Sequence, residues 1–196
     1  TIGATGTQTT IASARTNGAT GKFGRCMSFD GTDDYVSVGS TVTHSLLTGT
    51  FSTWIYPKGL ASPFSYVIGA NGFSGGGELA LRINSDGSGW WSVNNGPTGG
   101  GTAGSFSSGS FAINNWYHIA IRWDGTNWTL YKNGAVISTV ADSGGTSSSS
   151  NVEWIGDAWD GQPFNGLIDD VRIYNYTRTT DQIMQDYNQG LAAKLG

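Results

Sequence analysis

The chain is predicted to be all-β, with two antiparallel sheets packed face to face and one short helix near its end. Three observations predict this. From Asn115 to Val140 the sequence reads as three consecutive strands joined by two tight turns. Trp116, His118, Ala120 and Arg122 alternate with Tyr117, Ile119, Ile121 and Trp123, the period of two that gives a strand two different faces. Asp124-Gly125 and Asn133-Gly134 stand where a hairpin needs positive φ. The composition agrees: 12% of the 196 residues are charged, 31 are Gly and 12% are aromatic, which suits many short strands around an aromatic core.

Taken in order, residues 1–20 are rich in Gly, Thr and Ser and read as a leading strand and loop, with the sandwich starting near Lys22-Phe23. Alternating or β-branched and aromatic runs then predict strands at Cys26–Phe29, Tyr35–Val38, Phe51–Tyr56, Tyr66–Gly69, Glu78–Ile83 and Gly89–Val93. Further strands are predicted at Trp116–Trp123, Thr129–Lys132, Ala135–Val140, Val152–Ile155 and Gly166–Tyr174. Asn95–Gly109 and Asp142–Asn151 read as Gly/Ser/Thr loops at the rim. Thr179-Thr180-Asp181-Gln182 has capping-box spacing, Ile183, Met184 and Tyr187 are apolar, and Gly190 reads as the stop, so 179–196 is a short helix and tail.

At this length an all-β chain forms a single domain, here 1–196. Net charge is −4 with no basic stripe, which argues against nucleic acid and anionic membranes as partners. No apolar run approaches the roughly 20 residues a membrane helix needs, so no membrane insertion is expected. Cys26 is the one cysteine, so no intrachain disulfide forms, and a buried, inert thiol is the expectation. The chain starts at Thr1 without an apolar leader, and is expected to be a mature or excised part of a larger protein.

Four blocks resemble the laminin-G-like, concanavalin A-like β-sandwich family, which includes the pentraxins. They are Cys26-Met27-Ser28-Phe29-Asp30-Gly31-Thr32-Asp33-Asp34-Tyr35-Val36, Phe51-Ser52-Thr53-Trp54-Ile55-Tyr56-Pro57, Trp116 through Gly134, and Phe164 through Tyr174. The resemblance covers roughly residues 20 to 190 and implies a jelly-roll sandwich. It says little about function, because one fold hosts many unrelated sites.

No catalytic residue is assigned. Glycosidases need two carboxyl groups about 5 to 10 Å apart. The chain has two Glu, Glu78 and Glu153, and the stretch Glu153-Trp154-Ile155-Gly156-Asp157 lacks the paired-Glu spacing of sandwich-fold glucanases. His44 and His118 are the two histidines, and His118 reads as a satisfied core or edge residue. Nucleophile elbows, zinc spacings and phosphate loops are absent.

Carboxylates point to a metal. Asp30-Gly31-Thr32-Asp33-Asp34 and Asp169-Asp170 offer the hard oxygens that Ca²⁺ prefers, and the resemblance implies that the two segments meet at the sandwich edge. A structural Ca²⁺ on Asp30, Asp33 and Asp169 is the expectation, against Asp side chains that simply satisfy turn amides. Gly156-Asp157-Ala158-Trp159-Asp160-Gly161-Gln162 stands where pentraxins carry an acidic, calcium-dependent loop. Asp160 alone matches an acid there, and Gly76-Gly77 replaces the partnering pair, so two-calcium recognition is not expected. Trp159 with Asp157, Asp160 and Gln162 still suits a sugar, whose apolar face stacks on a ring while its hydroxyls take hydrogen bonds. Trp90 and Trp91 with Asn94-Asn95 form a second such set, and one of the two rings must face outward.

Two readings follow. One is a non-catalytic, lectin-like module of a secreted or surface protein with a glycan or glycoprotein as partner. The other is a structural, adhesion or assembly module of a filament, adhesin or virion, whose aromatics pack against neighbouring copies or domains.

Overall fold

The computed structural model describes residues 19–39, 48–61, 63–70, 79–94, 101–142, 152–158 and 160–192. Among the described residues there are twelve strands, β1 Met27–Asp30, β2 Val36–Gly39, β3 Gly49–Gly59, β4 Phe64–Ala70, β5 Leu79–Asn84, β6 Gly89–Asn94, β7 Gly101–Phe106, β8 Tyr117–Trp123, β9 Asn127–Lys132, β10 Ala135–Ala141, β11 Glu153–Ile155 and β12 Asn165–Tyr174, and one helix, α1, over Thr180–Ala192. The strands form two antiparallel six-stranded sheets. The first has the order β1-β12-β3-β8-β9-β10 and the second β2-β11-β4-β5-β6-β7. This is the predicted sandwich, with a jelly-roll architecture.

Alternation decides which residues fill the space between the sheets. Phe51 and Ile55 of β3, Ile119 and Ile121 of β8, Leu130 of β9 and Ile168 of β12 face Ile68, Leu81, Ile83, Trp91 and Ile155 of the second sheet in one buried cluster with Phe29. Ile173 is half-buried and packs on that cluster from the end of β12. The β9–β10 hairpin turns on Asn133 and Gly134, both at positive φ (53° and 78°), and Asn133 Oδ1 accepts the His118 amide at 2.9 Å. In the β8–β9 turn only Gly125 takes positive φ. Asp124 instead accepts the amides of Thr126 and Asn127 on one carboxylate oxygen.

Three readings are corrected. The stretch Asn95–Gly109 was expected to be loop, yet it contains β7, recruited by pairing with β6 along its whole length. Its small residues carry little strand signal. Gly104 is small because Trp91 needs the space: a Cβ there would lie 2.5 Å from the Trp91 indole nitrogen. Cys26 is only half-buried, its thiol directed at the Ala19 carbonyl and its pKa raised by burial. Helix α1 is also not stopped at Gly190 but runs through it to Ala192. The capping box does form as predicted: Thr179 Oγ1 accepts the Gln182 amide, and Gln182 Oε1 accepts the Thr179 amide.

Gly190 has a different task. α1 lies on the outer face of the first sheet, where Ile183 packs on Ala120 and Tyr131. Trp54, only 1% exposed, is enclosed by Tyr187 of α1, Phe23, His118 and the Lys22 ammonium. A Cβ on Gly190 would meet the Trp54 ring at 2.1 Å, so the helix seats this closely only with glycine there. Asp186 pins the same helix by accepting from Arg178 at 2.8 Å. His118, expected to be satisfied, is buried under this assembly with Nδ1 lacking a partner. Burial first, then the charges of Arg172 and Arg178, push its pKa down to about 4.

Gly190→Ala is expected to lower stability by about 1–3 kcal/mol, the range for overpacking. Leu191→Ala, at an exposed position on the same helix, changes it by under about 0.5 kcal/mol. Chemical unfolding of both variants checks this, and equal effects would remove Gly190 from the docking contact.

Candidate functional site

The outer face of the second sheet has a different character from the first. On β5 and β6, Leu79, Leu81, Ile83 and Trp91 point inward, which sends Ala80, Arg82, Trp90 and Ser92 outward. The expectation that one tryptophan of the pair faces out is met by Trp90, which is half-buried. Trp91 is wholly enclosed at 0% exposure and is a core residue, so it cannot contact a ligand. β6 ends at Asn94, whose side chain lies outside the described residues.

Around Trp90 the register assembles a mixed aromatic and charged surface. Arg82 pairs across the sheet with Trp90 on one side and Tyr66 on the other. Its guanidinium lies 4.2 Å from the Phe64 ring centroid and 5.0 Å from that of Trp90, so it is held between two rings. Phe64 meets Tyr66 edge-on at 5.4 Å. Further along the same face, Trp154 of β11 stacks on Tyr35 at 4.2 Å. Glu153, its neighbour, is turned inward and fully buried.

The loop after β11 folds back over this face. Tyr66 donates its amide to the Gln162 carbonyl at 2.9 Å, and the Gly156 amide reaches the Val67 carbonyl at the same distance. Ala158 packs with Tyr66 and Ala80, and comes so near the sheet that a Cβ on Gly69 would lie 2.5 Å from it. Ala158 of the predicted loop and Trp90 therefore belong to one cluster. Sequence spacing could not show this, because the contact crosses from β11–β12 to β4–β6. Sequence reasoning also missed Phe64, Tyr66 and Arg82, which alternation alone would have placed beside Trp90 once the β4–β5–β6 register was known.

Not every loop residue presents itself to solvent. Trp159 lies outside the described residues. Asp157 is 7% exposed and accepts the Ala158 amide at 2.7 Å, so it shapes the loop from beneath. Burial, reinforced by the charge of Asp160, raises its pKa to about 6. Asp160 and Gln162 are partly exposed. The Tyr66 phenol, flanked by Asp160 and Arg82, has its pKa raised by burial and by the Asp160 charge. Asp160 Oδ1 and Arg82 Nε are both shielded and without a hydrogen-bond partner.

The expected calcium ligands divide. Asp30 pairs with Asn165 at one end of β12, while Asp169 lies four positions on, about 13 Å away at strand rise. Asp169 instead accepts the Phe23 amide at 2.8 Å and anchors the segment before β1. Asp30 and Asp169 therefore share no site. Asp30 and Asp33 converge with Asp34 instead, their carboxylate oxygens within 4.8 Å of one another. Two turn amides already occupy part of this set: Asp34 accepts from Asp30, and Asp30 from Thr32.

Asp157 and His118 carry opposite pH signatures. The Asp157 pKa is raised from 3.8 to about 6, so its contribution is full below pH 3.8 and is lost as pH rises through 6. The His118 pKa is lowered from 6.5 to about 4, so its contribution is full above pH 6.5 and is lost as pH falls through 4. The two offset each other in mild acid. Asp157→Asn is expected to raise stability near neutrality by about 1–2 kcal/mol, allowing for solvent screening. It should also expose the His118 loss of about 3 kcal/mol on acidification. Urea unfolding between about pH 4.5 and 7.5 measures both effects. A profile parallel to the parent protein's would mean that Asp157 does not titrate in this range.

A family model described as the concanavalin A-like lectin/glucanases superfamily matches residues 30–184. No curated protein sequence matches the chain. Among solved structures, domain 4 of the extracellular arabinanase AbnA from Geobacillus stearothermophilus, in complex with arabinotriose, superposes with TM-score 0.66 at 20% identity, over 85% of this chain and 78% of that one. The binding domain of Paraclostridial mosquitocidal protein 1 gives TM-score 0.68 at 16% identity, over 87% of this chain but only 45% of that one. The CBM40 domain of the Ruminococcus gnavus IT-sialidase, bound to α2,3-sialyllactose, gives 0.65 at 13% identity, over 83% and 96%. At such identities the likeness speaks for the fold alone, whereas the family match spans most of the chain. The chain belongs to the concanavalin A-like lectin/glucanase superfamily.

Proposed function

We propose that this chain is a non-catalytic carbohydrate-binding module of a secreted or surface protein, and that it binds glycans on the outer face of its second sheet. The observation that carries the reading is the outward Trp90, gathered with Phe64, Tyr66 and Arg82 beneath a loop of hydrogen-bonding side chains. A ring edge beside a charged donor and carboxylate acceptors matches a sugar, with one apolar face and a rim of hydroxyls. Asp160, Gln162 and Trp159 are the loop residues assigned to that contact. The similar structures are themselves binding domains, two of them solved with sugars, which supports the same reading.

Hydrolysis is disfavoured by geometry. Asp157 has the raised pKa of a general acid but is enclosed, with one oxygen committed to the Ala158 amide. A general acid must reach the oxygen it protonates. Among the described residues no helix is long and apolar enough to cross a membrane. The exposed large hydrophobics, Ile113, Val136, Tyr176, Met184 and Leu191, are distributed over several elements, as on ordinary surfaces, and do not favour the assembly reading. A structural Ca²⁺, if bound, belongs at Asp30, Asp33 and Asp34, with backbone carbonyls and water completing the six to eight oxygens it takes.

Trp90→Ala and Trp159→Ala are each expected to weaken glycan binding at least about tenfold while leaving stability within about 1 kcal/mol. Trp91→Ala should instead cost about 3–5 kcal/mol, as truncation of a buried aromatic does. Glycan-array screening with thermal unfolding separates these outcomes, and binding that survives both Trp90→Ala and Trp159→Ala would move the site elsewhere. Titration with Ca²⁺ and with a strong chelator tests the cation. Saturation at a hundred times the dissociation constant is worth about 2.7 kcal/mol, and an unchanged melting temperature rules the ion out.

A further inference from the structure

The outer face of the second sheet carries a second aromatic pair that the contact around Trp90 does not use. Glu153 and Ile155 of β11 are buried towards the core, so Trp154 between them points outward. Its cross-strand neighbours are Ser37 of β2 and Gly69 of β4, which share that face. Tyr35, just before β2, lays its ring on Trp154, with centroids 4.2 Å apart and planes 24° from parallel. Both rings are half-buried. Stacking sets the plane of each ring, so the pair is a ready platform rather than two mobile side chains.

Sheet order fixes how far this platform stands from Trp90. β11, β4, β5 and β6 are successive neighbours, so Trp154 and Trp90 are three strand spacings apart, about 14 Å. Trp90 is level with Arg82 and Tyr66, whereas Trp154 is level with Gly69, which adds an offset of up to about 10 Å along the strands. A disaccharide is too short to touch both rings, and a longer linear chain is not. Between them β4 and β5 present Phe64 and the Arg82 guanidinium, 4.2 Å from the Phe64 centroid. The loop after β11 crosses β4 at Ala158, where a Cβ on Gly69 would lie 2.5 Å from the Ala158 methyl. Two small residues thus let the loop lie close against the sheet. Helix α1, the one helix among the described residues, packs on the other sheet and leaves this face uncovered.

We propose that the binding face is extended, with Tyr35 and Trp154 as a second platform, and that its ligand is a linear oligosaccharide long enough to reach from Trp90 to Trp154. The inference deepens the carbohydrate-binding reading and rests on it. A chain held at one platform meets the other as an intramolecular contact, so affinity climbs with length until both are filled.

The test is a glycan array followed by calorimetric titration with xylo-, cello- and arabino-oligosaccharides, monomer to hexamer. Array hits outside these series are titrated as the full glycan and as its terminal disaccharide, under the same criterion. The longest bound member is expected to bind at least about tenfold tighter than the disaccharide. Trp154→Ala should remove that gain and leave the disaccharide, held at Trp90, unchanged, whereas Trp90→Ala weakens every length. Thermal unfolding of each variant confirms that it is folded, and Tyr35→Leu, which breaks the stack but keeps an apolar side chain, repeats the measurement independently. Equal binding of short and long glycans, or a length gain that survives both Trp154→Ala and Tyr35→Leu, overturns the inference while leaving glycan binding in place. If neither the array nor the series binds the parent protein, the proposed function itself fails and the extended face falls with it.

Discussion

The contact between the inner faces of the two six-stranded sheets is the constraint on which the rest depends. Apolar residues from all twelve strands meet there or pack at its margin, and this apolar burial is the main favourable contribution to folding. Because side chains alternate along a strand, each inward residue forces its neighbours outward. Trp91 inside therefore means Trp90 outside, and Leu81 and Ile83 inside mean Arg82 outside. The surface residues proposed to bind sugar sit where they do as a consequence of core packing.

The two outer faces are then treated differently. The first is covered by α1, whose close seat on Trp54 needs a glycine at 190 and a carboxylate at 186 to hold Arg178. Its interior is dry enough to depress the His118 pKa. The second is covered only in part, by a loop that crosses Gly69 and leaves Trp90 and Phe64 half-exposed. Both faces bury polar atoms that lack a partner, His118 Nδ1 beneath α1 and Arg82 Nε beside Trp90 among them, so the extent of coverage is what sets the two faces apart.

The acidic turn after β1 shows why residue type alone is a poor guide to metal ligands. Asp30, Asp33 and Asp169 are chemically equivalent candidates, yet strand register puts Asp169 four positions along β12 from the partner of Asp30, where it holds the Phe23 amide. Asp34, which had no special claim, completes the cluster. The same carboxylates also satisfy turn amides, so chemistry suited to calcium and chemistry suited to a turn coexist in one segment.

Period-two alternation, turn residues and a capping box are local signals, and they carried the architecture. The two sheets, the hairpin at Asn133-Gly134, the N-terminus of α1 and the division of Trp90 from Trp91 were all legible in the chain. What stayed hidden depends on contacts between segments distant in sequence. Gly104 of β7 leaves the space that Trp91 fills, and a glycine kept for its neighbour's bulk leaves little strand signal in its own segment. Gly190 reads locally as a helix stop, and only the Trp54 ring makes it a packing residue. Tyr66, Phe64 and Arg82 became site residues through the register of β4, β5 and β6. Alternation determines which way a side chain points, but sheet order and register decide what it meets, and those are set by tertiary packing.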